Sequence, residues 1–164
     1  MGSIMQIKFH SPVLLSKEIK KMKHFYHKIL NQAIEFDLGN CIIFKCGLTI
    51  WKLQPDYPLT QHLKYDYHYH GNKNLELCFE TDEFEEVVEE LKQFDLNLLH
   101  DVNEEKWGQL TLRFFDPENN LVEIGETMPC FVRRMYKNGL SPEEISEKTS
   151  LPFEKIKEYL NSMK

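Results

Sequence analysis

The sequence predicts an α+β chain made of two tandem βαβββ units that curve into one concave mixed sheet, followed by a C-terminal helical tail. Three observations predict it. The same order of elements reads twice within residues 6–126, the strand segments alternate apolar and polar residues, and after Glu126 the pattern becomes wholly helical. Composition agrees: 164 residues, 41% hydrophobic and 28% charged, with 7 Gly and 7 Pro, describe a globular chain long enough to bury a core and exclude disorder and low complexity.

The first unit, residues 6–53, opens with an apolar strand over Lys8–Leu15. An amphipathic helix follows over Lys17–Leu30, where Ile19, Met22, Tyr26 and Ile29/Leu30 recur at helical spacing. Short strands come next at Ala33–Leu38, Cys41–Cys46 and Leu48–Leu53, the last two turning at Gly47. The second unit, residues 74–126, opens with a strand over Asn74–Thr81, in which Leu75, Leu77, Phe79 and Thr81 alternate with Glu76, Cys78 and Glu80. Asp82 suits an N-cap, and Phe84, Val87/Val88 and Leu91 form the apolar stripe of a helix ending near Phe94. Strands follow at Leu96–Val102, Gln109–Phe115 and Leu121–Glu126, the last pair turning on Asp116-Pro117-Glu118-Asn119-Asn120. A single helix covers only one face of each sheet, so burying the other face predicts a shared, concave cavity between the units.

The connection, residues 54–73, is long and interleaves Tyr57, Tyr65, Tyr67 and Tyr69 with His62, His68 and His70. It reads either as a partial lid or as an aromatic linker tacked onto the core. In the appendage, residues 127–164, Thr127 caps a helix to Lys137, Asn138-Gly139 ends it, and Ser141-Pro142-Glu143-Glu144 combines a capping box with an N1 proline. A last helix places Phe153, Ile156 and Leu160 on one face. The spacing is like a helix-turn-helix, but Glu154, Lys155, Lys157 and Glu158 balance in charge, which disfavours a DNA reader and points to a packing or dimer-forming appendage.

Net charge is −6, with the tail positive and residues 1–126 strongly negative, which argues against non-specific binding to nucleic acid or an anionic membrane. Apolar runs fall far short of the roughly 20 residues a membrane span needs, and no signal pattern opens the chain, so a cytoplasmic protein is expected. Cys41, Cys46, Cys78 and Cys130 form no CxxC pair and read as reduced thiols; Cys46 and Cys78 read as small buried hydrophobes.

Leu112-Arg113-Phe114-Phe115-Asp116-Pro117-Glu118-Asn119-Asn120-Leu121-Val122-Glu123-Ile124, with Trp107-Gly108-Gln109 upstream and Phe25-Tyr26 in the first helix, resembles the vicinal-oxygen-chelate superfamily over residues 6–126. That superfamily holds glyoxalases, bleomycin- and fosfomycin-resistance proteins and extradiol dioxygenases. The resemblance implies a homodimer that binds a small molecule, and a divalent metal held by inward His and Glu side chains. Its ligand positions fall on Glu123 and Glu76, and in the first strand on Ser11, with His10 one residue away and able to turn inward only through a bulge beside Pro12. Two carboxylates favour magnesium, manganese or calcium over zinc, and the third donor stays open among His10, Ser11, a linker histidine, water and substrate.

With a metal, Glu76 and Glu123 would move a proton in a lyase or isomerase reaction on vicinal oxygens. Without one, mutual repulsion would still leave one of the two as an acid or base. A competing reading needs neither: pairing Phe115 with Leu121 puts Arg113 opposite Glu123, as an ion pair. The metal-free members of the superfamily imply a ligand-sequestering protein, in which Trp107, Trp51, Phe44, Tyr67, Tyr69 and Arg113 would line the ligand and the net acidity would suit a cation.

Overall fold

A computed structural model describes residues 7–63 and 74–162. They fall into two compact units, residues 7–63 and 74–162.

In the first unit, β1 (Val13–Ser16), β2 (Ile34–Asp37), β3 (Cys41–Phe44) and β4 (Thr49–Lys52) form a four-stranded mixed sheet in the order β1-β4-β3-β2. β1 runs parallel to β4, reached by the long connection through the helix and the two intervening strands, and the hairpins are antiparallel. One face carries Leu14, Ile50, Ile42 and Phe44, all buried, under α1 (Ile19–His24) and the π-helical turn Phe25–Ile29 that continues it. The turn closes with Leu30 N–H donating to the Phe25 carbonyl at 3.0 Å. Its wider pitch changes the phase of the stripe, so that Phe25 and Tyr26, neighbours in sequence, are both buried.

β1 begins at Val13, five residues later than its apolar sequence suggests, because Pro12 offers a carbonyl but no N–H to the ladder: its oxygen accepts from Thr49 N–H at 3.2 Å. The connection opens with a short helix, α2 (Pro58–Leu63), and Tyr57 ahead of it stacks on Trp51 at 5.6 Å.

The second unit repeats the topology. β5 (Glu76–Thr81), β6 (Asn97–Glu104), β7 (Leu110–Phe115) and β8 (Leu121–Glu126) pair in the order β5-β8-β7-β6, again with the outer β5 parallel to β8. α3 (Phe84–Leu91) buries Phe84, Val88 and Leu91 against the face that carries Leu112, Phe114, Val122 and Ile124. Each such side chain contributes roughly 1.5–3 kcal/mol when fully buried. Asp82 does not cap α3. It accepts a hydrogen bond from the Thr127 hydroxyl at 2.5 Å, while Thr81 Oγ1 accepts from Glu83 N–H, so Asp82 ties the start of α3 to the start of the tail.

The β7–β8 turn explains its own sequence. Asp116 Oδ1 accepts from the N–H groups of Glu118 and Asn120 at 2.9 Å each, Oδ2 accepts from Asn120 Nδ2, and Asn119 takes the left-handed conformation that closes the turn.

The tail comprises α4 (Met128–Lys137), α5 (Pro142–Thr149) and α6 (Phe153–Asn161), which share a core of Phe131, Val132, Met135, Ile145 and Ile156. The Ser141 capping box forms as predicted, and Ser150, left-handed at φ 60°, ends α5. The charges of α6 pair along the helix, Lys155 with Glu158 and Lys157 with Glu154. No described helix is long and apolar enough to cross a membrane.

Candidate functional site

Strand alternation sends Glu76, Cys78 and Glu80 of β5, Leu121, Glu123 and Gly125 of β8, and Thr111, Arg113 and Phe115 of β7 to the face opposite α3. Phe115 pairs with Leu121, and Arg113 stands directly across from Glu123. Cys78 neighbours Glu123 on the other side, giving a three-strand row Cys78–Glu123–Arg113. Glu76, Cys78 and Glu123 bring three potential metal donors within 4.8 Å of one another.

Arg113 sits among those donors. Its Nε donates to Glu76 Oε1 at 2.6 Å, its Nη1 to Glu105 Oε1 at 2.5 Å and to Thr111 Oγ1 at 3.2 Å, and its Nη2 pairs with Glu123 Oε2. Burial alone would weaken the guanidinium's hold on its proton, but the hydrogen bonds to Glu105 and Glu76 raise it above the ordinary arginine value. Glu105, held by the Arg113 hydrogen bond, ionises below the usual carboxylate range. Glu123, only 8% exposed, moves the other way: burial pushes its carboxyl up, and the charges of Glu76 and Glu105 add to this against the pull of Arg113. The Cys78 thiol is exposed at its surface yet pushed up to about 11, first by partial burial of the sulfur and then by the Glu123 and Glu76 charges. It is neither a small buried hydrophobe nor an activated thiolate, and Cys46 is likewise exposed.

The residues fit a divalent metal poorly. A cation already sits among the donors and uses both carboxylates, and the three donors include no imidazole: His100, across from Arg113 on β6, approaches Arg113 Nη1 at 3.5 Å instead. His10 lies in the irregular, exposed segment ahead of β1, and the β1–β4 pairing runs from Val13 to Ser16 without a register shift. Phe44 is wholly buried on the helix side of the first sheet, its ring 6.1 Å from Tyr26, and fills core. Trp51 faces the other side, half-buried against Tyr57. Trp107 is 41% exposed and donates its Nε1–H to Gln109 Oε1 at 3.1 Å. Tyr67 and Tyr69 lie outside the described residues.

Glu105, Thr111 and His100 were not singled out from the sequence, although all three contact Arg113. The signal was the turn at Gly108, which folds Glu105 back so that its N–H donates to the Gln109 carbonyl at 2.8 Å. The second unit also holds an apolar groove of about 510 Å³ between α3 and β6, lined by Val88, Leu91, Phe94, Leu98, Val102 and Leu112 among others. Its charged lining residues are Asp101 and Lys92, so reactive groups concentrate on the opposite face.

Comparison with known proteins agrees with this architecture. The glyoxalase-like domain matches residues 9–129, which covers both sheets and stops at the first residues of α4. Comparison with curated proteins gives no match. Among solved structures, a protein of unknown function from Agrobacterium tumefaciens is 24% identical, with a TM-score of 0.66 over 76% of this chain and 98% of that one. A lactoylglutathione lyase from the same organism is 20% identical (TM-score 0.53, covering 73% and 93%), and a glyoxalase-related enzyme from Fulvimarina pelagi is 18% identical (TM-score 0.60, covering 73% and 88%). At these identities the likeness is one of fold. The chain belongs to the glyoxalase-like family, within the vicinal-oxygen-chelate superfamily.

Proposed function

We propose that this protein binds a small organic cation on the polar face of its second sheet, without a metal and without turnover. The observation that supports the reading is the place of Arg113, whose guanidinium contacts Glu76, Glu105 and Glu123 at once. Three carboxyl groups face one fixed cation, so the cluster keeps a negative bias that an amine or guanidine ligand would offset. Cys78 and Glu80 lie exposed beside it on β5, where a ligand can reach them, and the indole of Trp107 offers an exposed aromatic surface. The raised Glu123 carboxyl adds a hydrogen-bond donor whenever it holds its proton.

A second reading, a metal-assisted lyase or isomerase, draws on the three donors within 4.8 Å and requires Arg113 to vacate them. One experiment separates the two. Protein purified without chelator is assayed for metal, then titrated by calorimetry with manganese and with a panel of diamines and guanidines. We expect substoichiometric metal and saturable binding of an organic cation that is lost in Glu76→Gln. One tightly held metal per chain, or no binding across the panel, would defeat the cation reading.

A further inference from the structure

The tail lies almost wholly outside the family match, yet it reaches the cluster by a short chain of contacts. We propose that α4 and α5 brace the turn between β6 and β7, and that Arg134 is a positioning residue which, through that turn, holds Glu105 against Arg113. This deepens the reading of the acid–arginine cluster as the ligand site and rests on it.

Arg134 makes a two-pronged pair with Glu126, Nε to Oε1 and Nη2 to Oε2, both at 2.8 Å, and its Nη2 also donates to the Gly108 carbonyl at 2.5 Å. Glu126, 3% exposed, accepts from Leu110 N–H at 2.8 Å, and its carbonyl accepts from Gln109 Nε2 at 2.7 Å. One arginine of the tail therefore holds both ends of the segment that opens β7. Lys148 of α5 secures the other limb by donating to Glu104 Oε1 at 2.8 Å.

The turn itself leaves little slack. Gly108 has φ +99°, and a Cβ there would lie 2.5 Å from Met135 Sδ, so α4 rests directly on its backbone. A Cβ on Gly125 would lie 2.8 Å from Gln109 Nε2, so β8 has cleared a path for that side chain. Inside the turn, Gly108 N–H donates to the Glu105 carbonyl at 2.8 Å, which fixes Glu105 one short step from the contact with the tail. Its carboxylate then accepts hydrogen bonds from Arg113 Nη1 and the Thr111 hydroxyl. Releasing the brace frees Glu105 and leaves Arg113 held by Glu76 and Glu123.

The test needs no ligand. In a Trp51→Phe background, where Trp107 is the sole indole, the emission of Trp107 and the solvent exchange of the Arg113 Nη protons, of which those on Nη1 face Glu105, are recorded by nitrogen-edited NMR for the full chain and for Arg134→Met. We expect the exchange to quicken about tenfold, the scale of a local opening, and the emission to shift to the red, with the methyl signals of Val88 and Leu91 unmoved. Arg133→Met removes the same charge, but the hydrogen bonds of Arg133 go to the Tyr159 carbonyl and Ser162 Oγ, away from the turn, so both signals should stay as in the parent. Arg134→Lys, which keeps charge without the fork, should fall between. If Arg134→Met does not fold, Lys148→Met replaces it, with a smaller change in the same direction expected. A folded variant with parental exchange and emission, or an equal response from Arg133→Met, overturns the proposal. Absence of any cation binding would sink the ligand reading while leaving these signals as expected, so the two failures are distinct.

Discussion

In the first unit the row Leu15–Trp51–Cys41 crosses three strands on the face turned away from the helix; in the second the row Cys78–Glu123–Arg113 does the same. The hydrogen-bond ladders correspond strand for strand, with a parallel outer pair beside an antiparallel hairpin. Only the side chains on one face differ, apolar and aromatic in one unit and ionic in the other. A duplicated scaffold thus separates two demands: the helix-covered faces, both apolar, hold each unit together, and the remaining face is free to specialise because backbone pairing does not depend on it.

The comparison breaks most sharply where packing is removed. Phe44→Ala empties a wholly buried site against Tyr26 and should cost about 4 kcal/mol in urea unfolding, a core-cavity value. Organic-cation binding per folded molecule should be unchanged; a loss of binding without loss of stability would return Phe44 to the ligand surface. In the second unit, Arg113→Met keeps bulk but strands three carboxyl groups. That should cost about 3 kcal/mol near neutral pH, the lower end for a broken buried pair, and less at pH 5, where protonated carboxyls need no counter-ion. It also frees Glu76, Cys78 and Glu123, so manganese should raise the Tm of the variant and not of the parent in scanning fluorimetry. An equal rise in both would show that Arg113 does not occupy a cation's place.

Much of this was legible in the chain. β8 matches its expected span, the Ser141 capping box forms, and Arg113 faces Glu123 because a turn with Asp116 and Asn119 at set positions dictates the pairing. Period and turn chemistry act over a few residues, and such features can be read. The π-helical turn at Phe25 was not legible, since the same apolar spacing suits an α-helix until tertiary packing asks for two adjacent buried aromatics. Asp82 had the chemistry of a cap and spends it instead on Thr127, 45 residues away. Glu105 joined the cluster through a turn whose shape depends on Arg134 and Met135, contacts that no local pattern encodes.

A smaller effect sharpens the contrast between the faces. With the Cys78 thiol raised to about 11, roughly one molecule in a thousand carries the thiolate at pH 8, so alkylation by iodoacetamide should be slow there and accelerate toward pH 11. The shift comes from burial first and the Glu123 and Glu76 charges next. Glu123→Gln removes a negative neighbour, stabilises the thiolate, and should move the rate profile to lower pH. A profile unmoved by that change would leave burial and Glu76 as the causes and weaken the picture of a charged row.

The smallest expected effect concerns the two β-hairpin turns that join the inner strands. The first unit turns at Gly47, φ +93°, with nothing within 4 Å of where a Cβ would sit; the second turns at Asn119, φ +62°. Space is therefore not the constraint at Gly47, and backbone strain alone should set the cost of Gly47→Ala at about 1 kcal/mol. Asn119→Gly trades a side chain that tolerates the left-handed region for a freer unfolded chain, and the two effects nearly cancel, to within about 0.5 kcal/mol. Urea midpoints that fall by similar amounts in both variants would mean that the turns are not equivalent in the way their backbones suggest, and that the Asn119 side chain holds the second hairpin as firmly as Asp116 does.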